Sequence, residues 1–549
     1  MKKRILLVLP LNTEPLFYPD LYTVRDLTRR KGTHLNLSLP TVAGLTPPEF
    51  EVRVLDENVE PIDYSEHYDI VGLTTFANQF DRARQIAEDW RKRGALIVAG
   101  GPSASLIPHK WKPIADVVIV GEAERIWPQF CRDYLAGSYK EIYREEGLVE
   151  LAGLPLPDYS SIPTPVIHQY LNGVVETGRG CPYECEFCCA VVVLGRKLRF
   201  KRIDTVIEEL EQVYQLGLHR AQLCDVNLTV ERDRAKALLR RIRDWNATKR
   251  RPMKLYASVS LDVVDDEELL ELLPQAGVCT INTGVESVNV ESLRETRKFQ
   301  NIRPDLTGDI MRFHEHGIMV IGGAIVGFDH DDLSVFRRQF DFWMRTAAPL
   351  IQVNPLQAFD GTMLKERMEK EGRYVDPEIS LRGRIPTPLN MHTLIPKQLT
   401  PAQVRNGTIW LLARLYEWDN LADRVERFFE MFERSPKRKK LSIPGGPPEL
   451  HEIGIAARIL KHLLLKAPMD EKKALARMMA AALRSSHPFR FSFAVGSYLA
   501  AKDTRQTLAL SVPGFERVGY PGPEPHTGET NAPPLSVAAE PIEAARAAL

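Results

Sequence analysis

Short apolar runs alternate with helical stripes through the first 120 residues of the chain. Residues 5–9, 52–55, 70–75, 96–99 and 117–120 are runs rich in Val, Ile, Leu or Ala, the pattern of strands buried on both faces. Between them, 79–93 repeats Phe80, Ala83, Ile86, Ala87 and Trp90 at helical spacing. Strands alternating with helices predict an α/β domain with a doubly wound parallel sheet, whose ligands collect at the carboxyl ends of the strands. Three of those ends are small or polar: Thr74, Thr75 and Phe76, then Gly100, Gly101, Pro102 and Ser103, then Gly121 and Glu122. Glycines there let a large ligand approach the backbone. Neither G-x-x-x-x-G-K-[ST] nor G-x-G-x-x-G occupies the first turn, which disfavours the usual nucleotide folds.

A proline-rich stretch, 153–165, reads as an extended linker. A second strand–helix series follows it. Its strands are 221–224, 255–259, 280–284, 320–326 and 351–356, and its helices 203–216, 232–245, 266–275, 290–296, 304–316 and 333–346. The first of these helices turns Val206, Ile207, Leu210 and Val213 to one side and stops at Gly217. Polar residues or glycines interrupt the apolar runs at the strand ends: Asp225 and Asn227, Ser258, Glu286 and Gly327. Beyond residue 398, Leu399-Thr-Pro-Ala-Gln403 is a capping box with proline at the first helical position, opening a helix to about 416. Further helices are expected at 421–433, 450–465 and 472–483, and disorder from 513, where Pro, Gly, Ala and Thr dominate.

Composition adds little and excludes much. The 549 residues are 44% hydrophobic and 26% charged, an ordinary soluble balance. Lys plus Arg and Asp plus Glu stand at 72 each, so no bulk field argues for nucleic acid. Residues 1–10 begin with basic side chains and an apolar run too short for the core of a signal peptide, and read as a strand. No stretch of ~20 apolar residues is present to span a bilayer. The expected location is cytoplasmic.

The chemistry concentrates in Glu176-Thr-Gly-Arg-Gly-Cys-Pro-Tyr-Glu-Cys-Glu-Phe-Cys-Cys189. Cys181, Cys185 and Cys188 follow C-x3-C-x2-C, with Phe187 before the third. Three thiolates on one loop can hold a [4Fe–4S] cluster, normally closed by four, and leave one iron open. The amino and carboxylate groups of S-adenosylmethionine (SAM) suit that vacancy. A structural zinc would want a fourth ligand, usually from a second pair. The remaining Cys131, Cys189, Cys224 and Cys279 form no such pair, and Cys189 reads as a packed thiol. Disulfides do not fit so few cysteines without a secretion signal.

This spacing, with its aromatic before the last cysteine, resembles the signature of the radical-SAM superfamily. The preceding domain resembles the cobalamin-binding domain that precedes many radical-SAM barrels, over Leu55-Asp-Glu-Asn58, 69–75, Gly100-Gly-Pro102 and Val120-Gly-Glu-Ala-Glu124. The resemblance implies a Rossmann-like cobalamin domain at 1–145, a linker at 146–172 and a partial (β/α)6 radical-SAM barrel at 173–370. A mostly helical domain is then expected at 371–512 and a disordered tail at 513–549. It assigns Thr74 to Phe76, Gly100 to Ser103, Gly121 and Glu122 to cobalamin. Phe187, Asp225, Asn227, Ser258, Glu286 and Gly327 fall to SAM. Two departures stand out: the Gly-Gly-Glu usual after the second barrel strand reads Cys224-Asp-Val-Asn227, and the acid usual after the fifth reads His330. The D-x-H-x-x-G motif that brings a histidine to cobalt is absent after the first strand. No histidine from that motif can therefore coordinate cobalamin, as is common in this subgroup.

A barrel followed by a helical extension resembles the branch that includes hopanoid and other lipid methylases. The implied reaction is radical C-methylation of a hydrophobic or natural-product-like substrate. The reduced cluster cleaves one SAM to a 5′-deoxyadenosyl radical, which takes hydrogen from an unactivated carbon. Methylcobalamin then gives methyl to that carbon, and a second SAM restores it. The same cofactors also serve cyclisation, ring rearrangement or oxidation without methyl transfer. Methylthiolation normally needs an N-terminal three-cysteine cluster, and only Cys131 precedes the motif. A cobalamin sensor without activity leaves the cysteine loop unexplained. Implied partners are a small-molecule or lipid-like substrate and an electron donor such as flavodoxin or ferredoxin. The basic run 434–440 reads either as a solvated linker or as a peripheral contact with anionic lipid. Ile455, Ile459, Leu463 and Leu464 either dip into that interface or pack on the barrel.

Overall fold

The apolar runs of the first 120 residues become strands of one parallel sheet, because strands covered on both faces exclude polar side chains. The computed structural model describes residues 2–12, 25–76, 79–377, 389, 392–446 and 450–522. It divides into two units: Met1–Glu14, Arg30–Pro182 and Cys189–Leu228 form the first, and Pro15–Arg29, Tyr183–Cys188 and Thr229–Leu549 the second.

The first unit carries β1 (Lys3–Leu9), β2 (Gly32–His34), β3 (Phe50–Asp56), β4 (Ile70–Thr74), β5 (Leu96–Gly100), β6 (Val117–Val120) and β7 (Ile142–Arg144). It continues with β8 (Tyr170–Val175), β9 (Gly178–Arg179), β10 (Arg199–Phe200) and β11 (Arg220–Leu223). Six strands lie parallel in the order β3-β1-β4-β5-β6-β7. The order reverses at β1, between β3 and β4, and such a switch point opens a crevice at the strand ends. Val71, Ile86, Trp90, Trp111 and Val118 belong to the core on the sheet.

β2 leaves this sheet and pairs in parallel with β8, Gly32 opposite Tyr170 and His34 opposite Asn172. A Cβ at Gly32 would lie 2.5 Å from the Tyr170 ring, and the Tyr170 hydroxyl donates to Asp56 Oδ2 at 2.8 Å. β8 pairs with β11 through the crossover helix Ile203–Gln215, packed so closely that a Cβ at Gly173 would fall 2.2 Å from Val213. β9 and β10 form a short antiparallel pair, Arg179 opposite Arg199.

In the second unit β12 (Lys254–Ser258), β13 (Val278–Glu286), β14 (Met319–Val326) and β15 (Leu350–Pro355) run parallel in sequence order. Helices Glu267–Gln275, Leu306–Glu315 and Val335–Thr346 return the chain between them. With β8 and β11, the described strands supply the six strand–helix steps expected of a partial barrel. Five long helices follow: Pro401–Leu415, Trp418–Arg434, Leu450–Leu465, Met469–Arg484 and Arg490–Ser511. Thr400 and Gln403 form the expected reciprocal cap.

Several elements escape the sequence reading, four of them for legible reasons. β2 and β7 have three residues each, β8 begins inside the stretch read as linker, and Arg490–Ser511 has no stripe because it buries Phe493, Ser497, Tyr498, Asp503 and Leu508 together. The disorder expected from 513 does not hold for 513–522. Phe515 is 4% exposed and Tyr520 meets Trp410 edge-on at 5.0 Å, because apolar rings punctuate that polar stretch. Residues 523–549 lie outside the described residues.

The basic run is also partly consumed. Lys437 pairs with Glu267 and with Glu271, and Arg438 with Glu433 at 3.0 Å. Ile455 and Ile459 are buried, so they pack rather than reach out, while the Leu464 side chain lies outside the described residues.

Candidate cofactor site

Built from the first unit, the site begins where β8 runs into the cysteine loop. Thr177 donates its N–H and hydroxyl to the Asp225 carboxylate at 2.7 and 2.5 Å, tying the end of β8 to the turn after β11. Burial pushes the Asp225 carboxyl up to about 6, against the hydrogen bonds from Thr177. Both Asp225 oxygens are engaged by Thr177, so this residue, assigned to SAM from sequence, serves here to anchor the loop. Gly180 has φ 93°, and a Cβ there would meet the Lys197 carbonyl at 2.2 Å, so only glycine admits the turn into Cys181. The Cys181 N–H donates to Gly195 O. Asn227 lies partly buried in the loop after β11.

In the second unit, Tyr183–Cys188 is held by its middle. Glu186 donates its N–H to Thr296 O, and its own carbonyl accepts from Leu364 N–H. Its carboxylate takes Arg367 at 2.7 and 2.9 Å. Arg367 also reaches Asp329 and Glu295, and His330 faces Glu295 at 2.8 Å. Phe187 packs on Phe328, ring centres 6.2 Å apart, so it supports the loop from an apolar cluster. Cys188 N–H turns back to Cys185 O.

The surroundings of Cys185 suit a cluster's negative charge. Gln300 Nε2 donates to Cys185 Sγ at 3.6 Å. Burial pushes the Cys185 thiol up, and Lys298 and Gln300 oppose that. Lys298 itself donates to Glu286 at 3.1 Å. Burial works against its charge, but Glu286 and the thiols of Cys185 and Cys188 outweigh it and hold its pKa above the ordinary value. All seven cysteines are free thiols, and Cys181 and Cys185 are buried. The thiols of Cys185 and Cys188, one cation and an amide donor suit the charge of an iron–sulfur cluster.

Glu286 has φ 64°, a left-handed conformation that costs a non-glycine residue energy. Gln339 secures it, donating to Glu286 O at 3.0 Å. The side chain folds over β13, where a Cβ at Gly284 would lie 1.9 Å from Oε1. Ser258 closes β12 partly buried. Gly327 differs: its N–H donates to Asp331 at 2.9 Å, and a Cβ there would touch Val404 at 3.3 Å. It makes a covered turn.

A largely apolar cavity of about 560 Å³ opens in the first unit, at the switch point and along the face of the sheet beneath it. Thr74, Phe76, Gly100, Gly101, Pro102, Gly121 and Glu122 line it, as the sequence suggested. Gly101 and Gly121 have φ of 82° and 93°, and a Cβ at Gly101 would strike Thr74 Oγ1 at 2.3 Å. Thr75 and Ser103 are not among the lining residues. Both are buried, and Ser103 Oγ accepts from Trp111 Nε1 at 3.1 Å, because the turn points them into the core.

Sequence reasoning gave no role to other lining residues, including His34, Trp127, Glu124, Glu176, Arg179 and Cys224. No local pattern marks His34 or Trp127, whereas Glu124, Glu176, Arg179 and Cys224 stand in stretches quoted above without a role assigned to them. Arg179 could have been suspected from its place two residues before Cys181. It donates to Glu122 at 3.1 Å, Glu124 at 2.5 Å and Glu176 at 2.7 Å. Arg199 takes the other Glu122 oxygen at 2.6 Å. Burial opposes the Arg179 charge, and Glu176 and Glu124 more than offset it.

His34 stands in the cavity wall 3.4 Å from Asn172 Nδ2, and burial lowers its pKa to about 4, so it is neutral near pH 7. Its partner lies on β8, so we expect cobalt to receive no protein imidazole. Electron paramagnetic resonance of the cob(II)alamin form should show no axial-nitrogen splitting from the protein, and His34→Ala should leave the spectrum unchanged. A nitrogen pattern lost in His34→Ala would refute this.

A glycine-rich switch-point cleft and a loop of three thiols suit an enzyme that carries a large cofactor and an iron–sulfur cluster. Comparison with known proteins is in keeping with that. Residues 26–130 match the B12 binding domain, 175–337 the Radical SAM superfamily, and 362–506 a domain of unknown function, DUF4070. This chain is a radical SAM protein with a B12-binding domain and a DUF4070 region. It is 29% identical to an uncharacterized methyltransferase of Synechocystis over 76% of this chain and 77% of that one. It is 27% identical to the hopanoid C-2 methylase of Rhodopseudomonas palustris over 61% of this chain and 64% of that one. The fold is shared with the radical SAM methyltransferase TsrM of Kitasatospora setae, solved with cobalamin and a [4Fe–4S] cluster. The TM-score is 0.53 at 19% identity, over 69% of this chain and 76% of that one.

Proposed function

We propose that this enzyme is a cobalamin-dependent radical SAM C-methyltransferase acting on an unactivated carbon of a hydrophobic or natural-product-like molecule. The observation that carries the reading is continuity: Glu176 and Arg179 line the cleft and lead directly into Cys181. One stretch of backbone thus serves both cofactors. When bound, the cluster, SAM and cobalamin supply hydrogen abstraction and the methyl group. The chain's share is binding, orientation and exclusion of water. The apolar cleft wall keeps water from the corrin, Lys298 and Gln300 offset charge at Cys185, and Asp225 fixes the approach to the loop.

With SAM deuterated in its methyl group, an anaerobic assay on lipid and small-molecule extracts should give a product in which CD3 replaces one hydrogen. 5′-Deoxyadenosine and S-adenosylhomocysteine should appear in equal amounts. A product of cyclisation, rearrangement or oxidation that carries no deuterium would overturn the proposal. Electrons come from a flavodoxin or ferredoxin in this reading.

Substrate entry from a membrane surface is the finer part of the proposal. No helix among the described residues is long and apolar enough to cross a membrane. Exposed Ile453, Leu460, Leu465 and Met469, together with exposed Lys439 and Lys440 of the same unit, support contact at the surface. We expect salt-sensitive co-sedimentation with anionic vesicles, reduced when Leu460 and Leu465 become Ser. No binding at low salt would remove the membrane route.

A further inference from the structure

We propose that Glu124 is a recognition point for the rim of the corrin, accepting an N–H from one of its primary carboxamides. This rests on the reading that the cavity takes cobalamin. Glu124 occupies the first turn of the helix Ala123–Leu135, is 8% exposed, and lines the cavity. Its Oε1 accepts from Arg179 Nη2 at 2.5 Å. Its Oε2 is buried and has no hydrogen-bond partner among the described residues.

The neighbouring carboxylates are better served. Glu122 takes Arg179 on one oxygen, and Arg199 and the Val149 N–H on the other. Glu176 takes Arg179 on Oε1 and has Lys201 4.0 Å from Oε2. Glu122, Glu124 and Glu176 thus share two guanidinium groups, and the unmatched oxygen is buried on Glu124, a residue that lines the cavity. Leaving such an acceptor unsatisfied is costly, and a ligand donor recovers that cost. A carboxylate oxygen accepts and cannot donate. It welcomes an amide N–H and repels a carboxylate or the phosphate of the nucleotide tail. Glu124 therefore selects the amidated corrin over the same corrin with that amide hydrolysed.

The test is binding, read without turnover. The purified full-length protein is titrated with hydroxocobalamin and with its isomeric monocarboxylates, each lacking one amide, following the corrin spectrum and tryptophan quenching. One isomer should bind about ten-fold or more weakly than cobalamin. Glu124→Gln, whose amide can donate, should bring that isomer close to cobalamin. Wild type that binds every isomer as well as cobalamin, or Glu124→Gln that keeps the full gap, overturns the proposal. Should Glu124→Gln fail to fold, the methyl ester and methylamide of the weakened isomer decide. They are nearly the same shape, and only the methylamide keeps an N–H. The wild type should prefer the methylamide, and equal binding overturns the proposal. Failure to bind cobalamin itself removes the cavity reading, whereas equal treatment of acid and amide removes this proposal alone.

Discussion

Alanine at Cys181, Cys185 or Cys188 is expected to abolish both the broad visible iron–sulfur absorbance and reductive cleavage of SAM, each substitution alone sufficing. With three ligands for four irons there is no spare thiolate, so losing one opens a second iron and the cluster is lost. Cys189 supplies the control. It stands at the amino end of the helix Ala190–Leu194 rather than in the C-x3-C-x2-C set. Cys189→Ala should retain absorbance and cleavage. Equal loss in Cys189→Ala, or a cluster that survives in Cys185→Ala, would show the ligand set to be misassigned. Iron and sulfide content measured beside the spectra separates lost cluster from lost fold.

The second large effect concerns stability. Arg179→Met should destabilise the protein by about 3–5 kcal/mol, the cost of leaving buried charges without a partner. Three carboxylates depend on this guanidinium, and its side chain is only 11% exposed. The variant should unfold at lower urea and bind cobalamin more weakly, since the same side chain lines the cleft. Lys3→Ala, which removes a pair between a half-exposed lysine and Asp69, should leave the midpoint where it was. An Arg179→Met midpoint equal to that of Lys3→Ala would mean that water reaches the network and screens it.

Sequence alone conveyed whatever is local. Buried parallel strands such as Val117–Val120 are apolar throughout and declare themselves. So does the C-x3-C-x2-C spacing, because its three cysteines lie on one short loop. The strand Gly32–His34 could not be read, since its three residues carry no alternation and its position depends on pairing with Tyr170 and Asn172, far along the chain. The helix Arg490–Ser511 hid for the opposite reason, being buried on several sides. Within the cleft, the glycines at strand ends were legible because the backbone there needs them. His34 was not, and the roles of Glu124 and Arg179 were not, because burial and partnership come from residues far away in sequence. Thr75 and Ser103 shared a turn with true lining residues, and alternation turned them inward.

The detour of β2 onto β8 limits how this protein can be dissected or recombined. A fragment ending at residue 145 would keep β2 but discard Tyr170 and Asn172, its pairing partners. The slot beneath Gly32 would then stand empty and Asp56 would lose the Tyr170 hydroxyl. One wall of the cleft, Val174 to Arg179, would go with them. A transplantable cobalamin-binding piece must therefore extend at least through β11, taking the whole cysteine loop with it. Exchange of this domain between proteins, by gene fusion or in the laboratory, should succeed at that later junction and yield insoluble fragments at the proline-rich one.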